Sequence, residues 1–348
     1  MRIGLAGAGR IGACHAETLS EVPEVESLVI ADTDTPRARR LAGALAGRAG
    51  PGGGGPVLAA DSVEGLFTSG IDALVVAAAT DAHAGLVRRA AAAGLPVFCE
   101  KPVAPDVAGT LAVIAAVRET GIPVQVGFQR RFDAGYVAAR DAVATGRLGW
   151  LHTIRSCTLD PAPPPREFIP VSGGIFRDCA VHDIDGIHFV TGRQVVEVTA
   201  LGANRGDEVF RLCGDVDTGA ALLTLDDGTL ALISVSRYNG AGYDVRLEVL
   251  GSKDSVVAGL DDRTPLSPLD GGGSGRFYGS FQERFAAAYT AELRAFIDLA
   301  AGRAESPCTA EEALEALYVA EACELSRREG RVVGVDEVRA GRTGVTRP

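Results

Sequence analysis

The stretch "RIGLAGAGRIG", residues 2–12, constrains the fold more than any other. A short apolar run leads straight into glycines at 7, 9 and 12, and a helical pattern follows at once. Gly7 permits a tight turn, Gly9 lets the backbone approach a ligand closely, and Gly12 allows helix-on-strand packing. Together with Arg10 and Ile11 they form a turn whose helix presents N–H groups and the positive end of its dipole, which suits a pyrophosphate. Asp32 closes the next apolar run, "SLVIAD", twenty residues after Gly12. A carboxylate at that place accepts from the adenosine ribose hydroxyls and repels a 2′-phosphate, which favours NAD over NADP. Arg37, Arg39 and Arg40 follow closely and keep NADP open.

The rhythm continues. Apolar runs at 2–7, 27–32, 72–79, 95–100 and 123–128 alternate with helical patterns near 10–20, 35–47, 83–93 and 105–119. Strands apolar throughout suit a parallel sheet covered on both faces, so the expectation is an α/β fold with an N-terminal Rossmann doubly wound sheet over residues 1–124. "AGPGGGGP" (49–56) reads as a surface loop, because no P-loop Lys or Ser/Thr follows it. After about residue 128 the pattern changes. Runs at 195–201, 218–225, 229–238 and 243–252 follow one another directly, with an Asp-Gly turn in "LLTLDDGTLALIS". That succession marks antiparallel hairpins and predicts a second, α+β domain with an open, mainly antiparallel sheet over 125–335, then a tail at 336–348. Two helices close the chain, with capping boxes at Ser280/Glu283 and Thr309/Glu312.

A net charge of −11 argues against nucleic acid or an anionic membrane as partner. No apolar stretch reaches the roughly 18–20 residues of a membrane span. No separate n-region or cleavage site is evident, so no signal peptide is expected. The seven cysteines lie more than four residues apart, which suits reduced thiols in the cytoplasm and no metal site.

Chemistry concentrates in two places. "CEKP" (99–102) follows the fifth strand-like run, at the carboxyl edge where open α/β sheets bind ligands. "SGGIFRDCAVHDID" (172–185) carries Asp178 and His182 four apart, hence on one helical face. An imidazole suits removal of an alcohol proton, a neighbouring carboxylate orients it and stabilises imidazolium, and Lys101 steadies developing alkoxide charge. Whether Lys101 or His182 is the formal base stays open. Asp185 shares the face of His182 and is a candidate for a substrate hydroxyl; Asp183 points elsewhere and reads as structural or solvated. His152 and His188 also read as structural.

The motifs "GAGRIG", "CEKPVA", "VGFQRRFD" and "SGGIFRDCAVHDID", in that order, resemble the Gfo/Idh/MocA oxidoreductases, and "DPAPPPREFIPVSGGIFRD" resembles the inositol 2-dehydrogenase branch. The resemblance runs over essentially the whole chain. It implies a Rossmann domain, a second domain whose open sheet is buried in a homodimer or homotetramer, and catalysis by Lys101, Asp178 and His182. It also implies that Thr80 and His83 line the cofactor pocket beside Glu100 and Lys101, and that Arg131 and Tyr243 serve the substrate. Inositol dehydrogenases commonly carry "YGYD" where this chain has "AGYD", Ala241 to Asp244, so the pocket wall departs from that pattern. The leading reading is an NAD-dependent dehydrogenase of a ring alcohol in inositol or a related cyclitol or sugar. The alternatives are a sugar or sugar-phosphate 3-dehydrogenase, an NAD-using glycoside hydrolase, and a cofactor-binding sensor, the last disfavoured by the presence of Lys101, Asp178 and His182.

Overall fold

The computed structural model describes residues 1–46, 55–267 and 276–341, which fall into two compact units: the described residues of 1–129 with 287–314, and those of 130–286 with 315–341. The glycine-rich stretch lies outside the described residues up to residue 54, as does the tail from residue 342.

The first unit alternates β1 (Arg2–Ala6), α1 (Arg10–Ser20), β2 (Ser27–Ala31), α2 (Thr35–Ala46), β3 (Val57–Ala59), α3 (Val63–Thr68), β4 (Ala73–Val76), α4 (Thr80–Ala92), β5 (Val97–Glu100), α5 (Val107–Thr120) and β6 (Val124–Gly127). The six strands are parallel, in the order β3-β2-β1-β4-β5-β6. Every residue of β2, β4, β5 and β6 is buried, as continuous apolar runs require under helices on both faces. The order reverses between β1 and β4, which places the carboxyl ends of β1, β2, β4 and β5 around the edge where such sheets take ligands. β3 and α3 were not legible beforehand: three and six residues are too few to show a period.

Residues 287–314 also belong to this unit, although the pattern along the chain assigns everything from 125 to 335 to the second domain. Leu293, Phe296, Ile297 and Leu299 pack with Ile3, Leu5, Leu28 and Phe98 in one core. Helical periodicity tells that a face is buried, and not against what.

The second unit holds α6 (Ala134–Ala144), β7 (Leu151–Leu159), α7 (Val181–Thr191), β8 (Val195–Ala203), α8 (Val209–Leu212), β9 (Thr218–Leu225), β10 (Leu230–Ser236), β11 (Asp244–Gly251) and β12 (Ser255–Ala258). Further along the chain come α9 (Phe281–Arg284), then α10 (Ala286–Ala300), which from Ala287 on belongs to the first unit, α11 (Ala310–Glu329), which enters the second unit at Glu315, and finally β13 (Val333–Gly334) and α12 (Val335–Arg339). The seven-stranded sheet runs β12-β11-β7-β10-β9-β8-β13, antiparallel throughout except for β7 beside β10. β9 and β10 form the expected hairpin, with Gly228 at φ +86°. β7 escaped the sequence reading because its inward positions, 154, 156 and 158, are Ile, Ser and Thr rather than an apolar series. α7 packs on that inward side of β7.

Candidate active site

The glycine turn has the geometry a dinucleotide needs. Gly7 adopts φ +107°, and a Cβ there would fall 2.4 Å from the Ala77 carbonyl oxygen; one on Gly12 would fall 2.0 Å from that of Gly7. A Cβ on Gly9 would meet nothing within 4 Å, so the space over the turn is open. Gly9 N-caps α1 and has no side chain with which to cap it. Arg10 and Ile11 form the first helical positions. Asp32, just past β2, accepts from Ala8 N at 2.7 Å and Asp34 N at 2.8 Å, so its carboxylate is fixed against the turn. Arg37 lies 3.3 Å from Asp34 and 3.8 Å from Asp32, and Arg39 pairs with Asp61 at 2.9 Å. Two of the three arginines that could serve a 2′-phosphate are thus held by carboxylates. The residues present fit NAD.

At the next edge, Glu100 ends β5 and Lys101 follows it, joined to Pro102 by a cis peptide. His15 of α1, fully buried, hydrogen-bonds Glu100 Oε1 through Nε2 at 2.7 Å, with edge contacts to Phe98 and Tyr289. Glu100 is therefore tied to the glycine-turn helix. Thr80 opens α4 directly after the β4 edge. His83, expected on the cofactor wall, is 2% exposed, with Nδ1 2.8 Å from the Pro102 carbonyl and Nε2 3.0 Å from that of Ala78. A neutral imidazole has one N–H and donates to one of the two. Its observed place is a strap between the β4 edge and the Lys-Pro loop.

In the second unit the motif 172–185 enters through Gly173 and Gly174, at φ +81° and +94°, conformations that other residues rarely take. Ile175 N then donates to Asp215 Oδ1 at 3.0 Å, and Phe176–Ala180 wind as a π-helix that runs into α7. π turns recur at functional sites. Asp178 lies in that turn and His182 in the first turn of α7, so the expected single α-helix is two kinds of helix in series. Asp178 Oδ2 accepts from Arg237 Nη2 at 2.7 Å. Arg237 Nη1 reaches Asp160 Oδ2 at 3.1 Å and lies 2.7 Å from Cys179 Sγ. Burial pushes the Asp160 carboxyl above the usual range, with Arg237 opposing.

Two candidate substrate residues are nearly buried. Asp185, a candidate for a substrate hydroxyl, is 1% exposed and accepts from Arg131 Nη2 at 2.7 Å and Nε at 3.1 and 3.2 Å. Candidate residues for substrate are thereby one another's counter-ions, because a buried charge needs a partner. Tyr243, anticipated on the pocket wall, is 5% exposed between Phe281 and Phe285, and burial pushes its phenol up. Near the missing ring at Ala241 in sequence, the Tyr238 hydroxyl accepts from Asp207 N, and its ring packs on Phe210. Asp183 is structural and not solvated. It is fully buried and takes Arg130 at 3.0 Å, Thr158 at 2.7 Å and Ser156.

Sequence reading missed His15, Arg130, Asp160 and Arg237. For two of them a signal existed. Inward positions run 154, 156, 158 on β7 and 231, 233, 235 on β10, so 160 and 237 continue inward carrying charge. A charged residue in the inward register of a strand asks for a buried partner.

No helix of the described residues is long and apolar enough to cross a membrane, and no cluster of three ligating side chains occurs among them. The chain matches two family descriptions: an oxidoreductase family with an NAD-binding Rossmann fold over 1–128, and a GFO/IDH/MocA C-terminal domain over 136–257. It is 38% identical to the myo-inositol dehydrogenase Hyg17 of Streptomyces leeuwenhoekii, over 95% of this chain and 99% of that one. It is 36% identical to an inositol 2-dehydrogenase of Rhizobium meliloti, over 96% and 99%. Among solved structures it resembles the scyllo-inositol dehydrogenase of Lactobacillus casei with bound NAD(H) and scyllo-inositol, at TM-score 0.83 and 28% identity over 97% and 99%.

Proposed function

Because the chain belongs to the Gfo/Idh/MocA family of NAD-binding oxidoreductases, we propose that it transfers a hydride from a ring secondary alcohol of inositol, or of a related cyclitol or sugar, to NAD. The observation that carries the reading is Asp178 beside an arginine, one turn ahead of His182, in a chain that also presents Lys101 at the carboxyl edge of a Rossmann sheet. The relatives named for inositol dehydrogenation, one with scyllo-inositol bound, give the substrate class its support.

The roles follow from elementary chemistry. Oxidation removes a hydride from carbon and a proton from oxygen, and bound NAD supplies the hydride acceptor. Lys101 donates to the reacting oxygen and stabilises its developing negative charge. His182 takes the proton, and Asp178, held by Arg237, steadies the imidazolium. Gly7, Gly9, Arg10, Ile11, Gly12 and Asp32 would hold the dinucleotide, with Thr80, Glu100 and the His83-braced loop beside them. Arg131 and Asp185, as a pair, and Tyr243 frame the polyol.

The test is NADH absorbance across cyclitols, sugars and aryl glycosides. Net NADH from a cyclitol supports the reading. NADH from a sugar or sugar phosphate alone favours the 3-dehydrogenase, a reading kept because the ring at Ala241 is missing; aglycone release without NADH indicates the hydrolase. Asp32→Ala is expected to raise KM for NAD about tenfold or more, on the scale of one charge-assisted hydrogen bond, with kcat at saturation nearly unchanged. Loss of kcat with an unaltered KM for NAD would remove Asp32 from the ribose.

We place the protein in the cytoplasm as a homodimer or homotetramer. The outer sheet face exposes Leu201, Leu222 and Leu232 by 67, 44 and 44%, around a depression of about 480 Å³ with Arg155 and Glu248 on its rim. A contiguous apolar face of that kind marks an interface. Sedimentation at micromolar concentration should give at least twice the 35.9 kDa chain mass; a monomer there would sink the assignment.

A further inference from the structure

Arg237 sits where two strand ends meet. β7 and β10 are parallel with Leu159 opposite Ser236, so residues 160 and 237 leave the sheet side by side. Backbone bonds join them: Asp160 N donates to Ser236 O at 2.9 Å, and Asn239 N to Asp160 O at 2.7 Å. The Arg237 side chain is 4% exposed, and its two terminal nitrogens go to carboxylates from different parts of the chain, Asp178 in the π turn and Asp160 beyond β7. A planar guanidinium spans two such partners in fixed geometry, which a compact ammonium cannot do. The fork locks the π turn to the sheet edge through the carboxylate that precedes His182.

We propose that Arg237 is a positioning residue for Asp178, holding its carboxylate in one orientation for the proton-handling pair. The proposal rests on the dehydrogenase reading above. Arg237 supplies a counter-charge that a neutral side chain of equal length lacks. Its removal leaves Asp178 and Asp160 facing each other without the cation between them. The carboxylate then turns away, and the imidazole loses its support.

The test uses the full-length protein and the best cyclitol from the absorbance panel. Arg237→Met is expected to lower kcat about thirtyfold or more, since misplacement by about 1 Å costs on the order of 10²-fold, with KM for NAD within about twofold. Arg237→Lys, which keeps the charge without the fork, should recover at least about threefold of that loss. An Arg237→Met enzyme that keeps more than about a third of kcat overturns the proposal. So does an equal loss in both variants that tracks a fall in Tm, because that is a purely structural effect. A cycle of thermal melts needs no substrate: Arg237→Met should lower Tm by much less in an Asp178→Asn background than in the wild type. Additive shifts overturn the pairing whatever reaction the enzyme runs. Failure of every polyol to yield NADH sinks the dehydrogenase reading instead, and leaves the melts to decide the Arg237–Asp178 coupling.

Discussion

Replacing His182 by Asn is expected to lower kcat on the preferred cyclitol by about 10²–10⁴-fold, the range that one positioned acid–base group contributes. The amide keeps much of the imidazole's size and hydrogen-bonding character but does not accept a proton near neutral pH. The Kd for NAD should stay within about twofold, because the glycine turn and Asp32 lie in the other unit and are tied there by Ala8 and Asp34 backbone donors. Lys101→Ala should fall by about 10²–10³-fold, the scale of one lost oxyanion donor. The two losses should not multiply in the double variant, since groups that act on one transition state are non-additive. Stopped-flow turnover with NAD titration by protein fluorescence measures both quantities. Near-normal kcat in either single variant would remove that residue from the chemistry; a large rise in the Kd for NAD would move it to the cofactor.

The second large effect is on stability. Asp183→Ala is expected to cost about 3–5 kcal/mol, the usual result of removing one partner from a buried ion pair. Arg130 is 1% exposed, and it would lose the carboxylate that faces its Nη1. Ser156 and Thr158 would lose the oxygens to which they donate. Tyr136, whose phenol burial pushes up to about 12, would keep an uncompensated guanidinium as a neighbour. Urea midpoints read the loss, and a change below about 1 kcal/mol would show that Asp183 is not the counter-ion of Arg130. The neighbouring carboxylates of one short motif thus fail differently: Asp183 through folding, Asp178 through turnover.

The composition of the strands explains why most of the first unit was legible. Continuous Val, Ile, Leu and Ala runs, spaced by helical patterns, leave a doubly wound parallel sheet as almost the only way to bury them all. The glycine turn at 7, 9 and 12 and its contact with Asp32 were legible for a local reason, since they lie within one β-α-β unit. The same held for the π-helical motif, whose Asp178, His182 and paired entry glycines are contiguous. β7 was not legible, because its inward Ser156 and Thr158 serve a buried carboxylate from α7 and so break the apolar alternation.

What the sequence by itself determined was chemistry of short range: a turn for a dinucleotide, a lysine after a strand, a carboxylate and an imidazole four residues apart. What only the tertiary structure decided was which charges face each other. Arg237 meets Asp178 across 59 residues, Arg131 meets Asp185 across 54, and His15 meets Glu100 across 85. No periodicity encodes such pairs, because a charge entering a low-dielectric interior takes whichever opposite charge the sheet order brings beside it. The parallel placement of β7 beside β10, which no hairpin signal announces, put Asp160 and Arg237 at one edge. It thereby determined which arginine the Asp178 carboxylate would meet.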